Sequence, residues 1–190
     1  MAPAKHSGIG KAQSKEKRTM MLNQENIKKG KGFPITVPTE TVSVETRFGV
    51  YEFTPQNTVV MPQGLVGFAD HQLFGLANLP EPAPEDFKLL QSLAELPLSF
   101  IVMPASPAQA PIGPADVEEA CTAAGIQPDK AVFLFVVTIR PKSDGVGIEM
   151  TTNLRAPIIF DPQTRLARQH VLSNSQYPLR HPIEKWDGEA

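Results

Sequence analysis

Val132-Phe133-Leu134-Phe135-Val136-Val137-Thr138-Ile139 is the stretch of this chain that decides its fold. β-branched and aromatic residues dominate it, and such residues pack well on a pleated sheet. Because the run has almost no polar alternation, it is typical of a central strand that is covered on both faces. The sequence therefore predicts a buried strand over 132–139 in the middle of a sheet.

Shorter strands are predicted on both sides of this run. Between Val42 and Val50 the apolar residues fall on even positions, which indicates a half-buried strand or a hairpin. A strand over 98–103 is expected to stop at Pro104, because proline cannot donate to a strand ladder. The remaining strands are predicted at 59–61, 72–79, 87–92, 148–152, 156–160 and 166–172, and the expected core includes Phe100, Val102, Phe133, Phe135 and Val137.

A glycine-containing loop and a short helix are predicted between the strands. The segment Met61–Phe68 holds Gly64 and Gly67, which suit a tight loop with positive φ, and Phe68 is expected to fold back as its hydrophobic plug. A Pro/Ala-rich surface loop over 104–114 precedes a short helix that opens at Pro114 and stops at Gly125. The acids of that helix, Asp116, Glu118 and Glu119, are interpreted as first-turn residues that complement the helix dipole.

The composition agrees with a fold of many short strands. There are 19 prolines in 190 residues, about twice the usual share of roughly 5%, and proline shortens helices and strands. Together these signals predict a mainly β fold, a small antiparallel, partly closed β-barrel with one or two short helices.

Several classes of protein are excluded by composition. The single Cys121 can form neither an intrachain disulfide nor a cysteine-ligated zinc site, and it fits a reduced, cytosolic setting. The longest apolar run is shorter than the roughly 20 residues that span a bilayer. We therefore predict no membrane association, no metal and no cofactor.

The charge is divided along the chain. Residues 1–40 carry eight Lys/Arg and three Asp/Glu, whereas residues 41–190 carry ten and seventeen. The first segment is thus basic and poor in hydrophobic periodicity, and it is predicted to be a disordered tail that folding does not need. The remaining acidic body is a poor match for nucleic acid, and it is a plausible surface for docking a basic protein.

The sequence does not indicate an enzyme. Asp161, His170 and Ser173 resemble the residue types of a hydrolase triad, but no GxSxG turn presents the serine. Gly-rich phosphate loops and HExxH motifs are missing as well. The main alternative is an RNA- or ligand-binding β-barrel with a basic tail, whose groove would draw on Arg140, Arg155, Arg165, Arg168 and Arg180.

Five segments, in order along the chain, resemble the flagellar assembly factor FliW family. Individually each motif is weak, but five in the same order are a strong signal. They span roughly 45–183 and comprise Thr46-Arg47-Phe48-Gly49, Met61-Pro62-Gln63-Gly64-Leu65-Val66-Gly67-Phe68, Leu90-Gln91-Ser92 with the strand after it, Thr152–Ile159, and Tyr177-Pro178-Leu179-Arg180-His181-Pro182.

This resemblance implies a non-enzymatic function in the cytoplasm. Proteins of the family bind flagellin, and they also bind the translational regulator CsrA and antagonise it, so that flagellin level is coupled to flagellin translation. The implied organisation is a disordered basic tail over 1–40, a FliW-like β-barrel domain over 41–184 and a flexible C-terminus over 185–190. Partner contacts are expected from Asn153, Arg155, Tyr177 and Arg180, without direct nucleic-acid binding.

Overall fold

The computed structural model describes residues 35–94, 98–143 and 145–183. Most of the expected basic tail and the expected flexible C-terminus lie outside these residues. One α-helix, α1 (Pro114–Ala124), occurs in the described part. Its strands are β1 (Val42–Thr46), β2 (Gly49–Phe53), β3 (Thr58–Val60), β4 (Leu73–Asn78), β5 (Lys88–Ser92), β6 (Ser99–Ala105), β7 (Val132–Pro141), β8 (Ile148–Thr152), β9 (Ile158–Phe160), β10 (Ala167–Gln169) and β11 (His181–Pro182).

The strands form one large antiparallel sheet and one hairpin. Seven strands follow the order β10-β9-β7-β6-β5-β4-β3, and β8 and β11 extend the sheet beside β7. The two edges of this sheet approach each other, because Val60 and Leu166 form an isolated parallel bridge. The Val60 N–H donates to the Arg165 carbonyl at 2.8 Å across the same seam. The prediction of a mainly β, antiparallel fold with a short helix is confirmed.

Strand β7 is the central strand that its sequence predicts. Its even-numbered residues face the interior of the curved sheet, where Leu134 is completely buried with Leu90 and Ile158. Its odd-numbered residues Phe133 and Phe135 are equally buried on the other face, against α1. Beyond Val137, β7 no longer pairs with β6. Its side chains are less buried there, and Ile139 is 41% exposed.

The expected core residues are buried with one exception. Val102, Phe133, Phe135 and Val137 lie in the core. Phe100 is only half-buried and packs at the margin of the main cluster. It lies near the start of β6, where the interior is covered by the Met61–Phe68 segment rather than by a strand.

Strand β6 does not stop before Pro104, and that prediction is wrong. Pro104 lies inside the strand and opposes Leu134 of β7. On its other side, β5 pairs with β6 only as far as Val102. Residues 103–105 are therefore an edge segment, where a missing N–H costs no ladder hydrogen bond.

Helix α1 begins and ends where the sequence predicts. Pro114 occupies the first turn, and Gly125 ends the helix in the left-handed conformation with φ 72°. Its buried face, Val117, Ala120 and Cys121, packs on the outer face of β7 and β9. The helix thereby closes one side of the sheet.

The hairpin β1–β2 packs on the outside of β4. Phe53 at the end of β2 is completely buried, and its ring lies directly over Gly75 of β4. A Cβ atom at position 75 would collide with that ring. Glycine is therefore required at this point because the hairpin and the sheet approach so closely.

Candidate functional site

The two C-terminal motif segments, Thr152–Ile159 and Tyr177–Pro182, lie side by side. Strand β11 pairs with β8 through His181 opposite Thr152. The Leu154 N–H also donates to the Pro178 carbonyl at 3.2 Å. Two motifs that are separated in sequence therefore form one surface, although β11 was not among the predicted strands.

Gln169 joins this surface to the Met61–Phe68 loop. Its Oε1 accepts the Val66 N–H at 2.9 Å, and its Nε2 donates to the Ala156 carbonyl at 3.1 Å. One side chain thus fixes two loops at once. Sequence reasoning did not identify Gln169, because no local pattern marks a glutamine that bridges two distant loops.

The Met61–Phe68 loop has the predicted glycine conformations but not the predicted plug. Gly64 and Gly67 have φ values of 62° and 86°, and a Cβ on Gly64 would collide with the backbone of Phe68. Leu65 is a buried side chain of the loop, whereas Phe68 remains 40% exposed. Phe68 instead packs edge-to-face on Phe100, with 5.7 Å between ring centroids.

Asn153 and Arg155 shape their own loop. The Asn153 Oδ1 accepts the N–H groups of Arg155 at 3.0 Å and Ala156 at 3.1 Å. The Arg155 guanidinium donates to the carbonyls of Leu172 at 3.3 Å and Ser175 at 3.1 Å. Both side chains are half-buried, and their polar groups stabilise the loop that carries them. A contact of either residue with a partner stays a prediction.

Tyr177 links the C-terminal segment to the start of α1, whereas Arg180 is exposed. The Tyr177 hydroxyl accepts the Gly113 N–H at 2.6 Å and donates to Asp116 Oδ2 at 2.7 Å. The hydrogen bond from Gly113 favours the phenolate, but the bond to Asp116, burial and the Asp116 charge outweigh it and raise the pKa of Tyr177. Of the four expected contact residues, Arg180 is thus the most accessible.

Asp161, His170 and Ser173 do not form the hydrolase triad considered from the sequence. Burial of Asp161 opposes its ionisation, but hydrogen bonds from Gln163 and Thr164 outweigh this effect and lower its pKa. The carboxylate near His170 and Ser173 is instead Glu119, whose Oε1 lies 2.8 Å from His170 Nε2 and 2.9 Å from Ser173 Oγ. Interpreting Glu119 only as a first-turn acid was therefore wrong, because it ties α1 to residues 170–173.

Four exposed apolar side chains lie on the joined loops. Val66 and Leu179 are 70% and 65% exposed, and Val171 and Phe68 are 49% and 40% exposed. Val66 is beside Gln169, and the Leu172 N–H donates to the Arg155 carbonyl at 2.9 Å, which places Val171 next to the Asn153 loop. We call these residues, Val66, Phe68, Val171 and Leu179, the apolar rim. Exposed apolar residues on neighbouring loops can form a protein-binding surface.

Most of the arginines considered for an RNA groove make hydrogen bonds within the chain. Arg165 Nε donates to the Thr58 carbonyl at 2.8 Å, and Arg168 donates to the Ala123 carbonyl at 2.7 Å. With Arg155, three of the five arginines hydrogen-bond to backbone carbonyls.

The described residues contain no cluster of three or more His, Cys, Asp or Glu side chains suited to a metal. No helix within the described ranges is long and apolar enough to cross a membrane.

Comparison with known proteins gives a consistent result. The family model described as FliW protein matches residues 42–183. A flagellar assembly factor FliW of Syntrophotalea carbinolica is 34% identical over 143 residues, which cover 74% of this chain and 96% of that protein. The protein of the same description from Geotalea uraniireducens is 32% identical over 142 residues, covering 73% of this chain and 81% of that one.

A solved structure shares the fold. A crystal structure of the flagellar assembly factor FliW superposes with a TM-score of 0.57 and 24% sequence identity. The superposition covers 77% of this chain and 99% of the other. At this level of identity the structural likeness establishes the fold alone.

Proposed function

We propose that this chain, which belongs to the FliW protein family, is a non-enzymatic assembly factor that binds flagellin in the cytoplasm. It also binds a CsrA-type translational regulator where the cell has one, and it antagonises that regulator. The observation that carries the proposal is the family match over residues 42–183, which spans nearly all of the described residues. The curated relatives are described as flagellar assembly factors.

The joined motif loops are the proposed flagellin surface. Gln169 fixes the Met61–Phe68 loop to the Asn153 loop, so the surface is formed before a partner arrives. A pre-organised surface spends little free energy on ordering its loops when it binds. The apolar rim supplies the area that a partner would bury, and the exposed Arg180 supplies a charged contact beside it.

Asn153, Arg155 and Tyr177 contribute differently under this proposal. Their polar groups already hydrogen-bond within the chain, so they act on the partner mainly by holding the loops in shape. Arg180, which is exposed, is the member of the predicted set that is free to contact flagellin directly.

Coupling between flagellin and the regulator follows from mass action. If the two partners bind the chain in a mutually exclusive way, occupancy by one lowers the apparent affinity for the other, and the effect is reciprocal. A rise in free flagellin then releases the regulator, and a fall in free flagellin restores the antagonism.

Calorimetric titration with purified flagellin tests the proposal. The full chain is treated with nuclease before the titration, and saturable heat at micromolar flagellin is expected. A second titration in the presence of a CsrA-type protein should show a lower apparent affinity. Absence of flagellin binding, together with binding to RNA, would exclude the assembly-factor function and favour the RNA-binding barrel.

A further inference from the structure

The end of the curved sheet opposite the Met61–Phe68 loop holds a small cavity. Its volume is about 200 Å³, and its lining is mostly apolar: Leu76, Ala77, Asn78, Lys88, Pro104, Val132, Leu134 and Phe160. The lining comes from the ends of five strands, whose register places Asn78 opposite Lys88 and Val132 opposite Phe160. We call this feature the barrel mouth.

The barrel mouth has an apolar floor and apolar walls. Leu134 and Phe160 at the floor belong to the main core and are 0% and 3% exposed. Leu76 and Val132 pack against that core and are only half-buried. Since these side chains remain partly exposed to water, covering them would be favourable by the hydrophobic effect.

One cation, Lys88, lines this apolar site, and a second, Arg165, lies against its Phe160 ring. Lys88 is half-buried, and its Nζ donates to the Glu85 carbonyl at 2.6 Å, which leaves two of its three donors unused. The Arg165 guanidinium carbon lies 4.8 Å from the centroid of the Phe160 ring. Among the described residues the one ion pair within 4.0 Å is His170–Glu119, so neither cation has a carboxylate partner there.

Arg165 is held in place at a conformational cost. Its φ of 63° is the single positive value among the described residues other than glycine, and such a backbone is strained for a side chain of this size. Burial lowers the pKa of its guanidinium. A partly buried cation without a counter-ion therefore raises the local potential beside Phe160, and an anion at the barrel mouth would offset it.

We propose that the barrel mouth binds a small carboxylic acid with a short unbranched apolar tail. The carboxylate accepts hydrogen bonds from Lys88 and lies in the positive potential of Arg165, while the tail covers Leu76 and Val132. The cavity has the liquid volume of about seven water molecules, which suits an apolar tail of about seven carbons with the carboxylate at its edge beside Lys88. This site is separate from the apolar rim, and the proposal does not depend on flagellin binding.

Titration of the full chain with octanoate, followed by NMR of the labelled protein, tests this site. Saturable shifts at Leu76, Val132 and Phe160 are expected, with a dissociation constant below about 1 mM for a ligand of this size. Octanol and octylamine serve as neutral and cationic controls of the same chain length. Both should bind at least about fivefold more weakly than octanoate, because they lack the anionic group.

Two variants and one control complete the test. Lys88→Gln should weaken octanoate binding by about fivefold or more, and Val132→Phe should abolish it by filling the cavity. Lys142→Gln, at the opposite end of β7, should bind like the unmodified chain, and thermal unfolding shows whether each variant is folded. The proposal is overturned by absence of saturable shifts at several millimolar octanoate, by equal binding of octanol, or by unchanged affinity in folded Lys88→Gln.

Discussion

The Gln169 side chain accepts a hydrogen bond at 2.9 Å from the backbone N–H of Val66, which lies 103 residues earlier in the chain. The same side chain donates to the Ala156 carbonyl at 3.1 Å. A glutamine amide is suited to this role because it carries an acceptor and a donor on one planar group. The two loops can therefore move apart only if at least one of these hydrogen bonds breaks.

Replacement of Gln169 by alanine should lower both stability and flagellin affinity. The loss of two hydrogen bonds predicts a decrease of about 1–3 kcal/mol in the free energy of unfolding. Freeing the loops should also weaken flagellin binding, because part of the binding free energy would then be spent on ordering them. Urea unfolding and calorimetry measure the two effects. Gln163→Ala, at an exposed glutamine, is the control and should behave like the unmodified chain.

Features that depend on neighbouring residues were predictable from the sequence. The apolar run over 132–139 identified β7, because continuous β-branched and aromatic residues suit a strand that is covered on both faces. Gly125 marked the end of α1, because the left-handed backbone conformation that ends a helix favours glycine, which has no Cβ atom. The Met61–Phe68 glycines were identified for the same reason.

Features that depend on long-range packing were not predictable from local patterns. Pro104 sits within β6 because β5 ends earlier, a fact that belongs to the register of the sheet. Glu119 binds His170 and Ser173, which are 51 and 54 residues away. Phe68 lies outside the core and packs edge-to-face on Phe100, which comes 32 residues later in the chain. In each case the deciding neighbour comes from a distant part of the chain.

Gly75→Ala should destabilise the fold by disturbing the hairpin β1–β2. A Cβ at this position would overlap the Phe53 ring, and overpacking of this kind costs roughly 1–3 kcal/mol. The free energy of unfolding from urea titration measures the loss. In the Gly75→Ala background, Phe53→Leu should cost less than it does alone, because the smaller side chain relieves the overlap. Strictly additive effects would show that the two residues do not meet.

The two phenylalanines Phe135 and Phe68 should respond differently to truncation. Phe135 is 0% exposed, and its replacement by alanine should cost roughly 3–5 kcal/mol. Phe68 is 40% exposed, so its replacement should cost about 1 kcal/mol or less. Thermal or urea unfolding of both variants provides the comparison. A Phe68→Ala variant as unstable as Phe135→Ala would mean that the loop is more deeply packed than described.

Glu119 should make the stability of the fold depend on pH in the acidic range. Hydrogen bonds from His170, then from the Ser173 N–H and hydroxyl, lower the pKa of its carboxyl. Because the folded-state pKa is below the unfolded value, the stabilisation is complete above the unfolded pKa and is lost as pH falls through the folded one. The stability advantage of the unmodified chain over Glu119→Gln should therefore be largest near neutral pH and shrink below about pH 4.

Glu118→Gln is the matched control for this effect, because Glu118 is exposed on the same helix. Chemical unfolding at a series of pH values should give nearly parallel curves for the control and the unmodified chain. An advantage over Glu119→Gln that stays constant from neutral pH to pH 3 would show that ionisation of Glu119 has no part in tying α1 to residues 170–173.

The apolar rim should be required for flagellin binding and not for folding. Val66 is 70% exposed, so Val66→Asp should change the free energy of unfolding by no more than about 0.5 kcal/mol. If flagellin covers this side chain, the buried aspartate should weaken binding at least about tenfold, because a charge removed from water without a partner is costly.

Val50 offers an equivalent site on the hairpin, with 69% exposure. Val50→Asp should bind flagellin like the unmodified chain in the same calorimetric titration. Weakening by Val50→Asp with no effect of Val66→Asp would move the flagellin surface from the joined loops to the hairpin β1–β2.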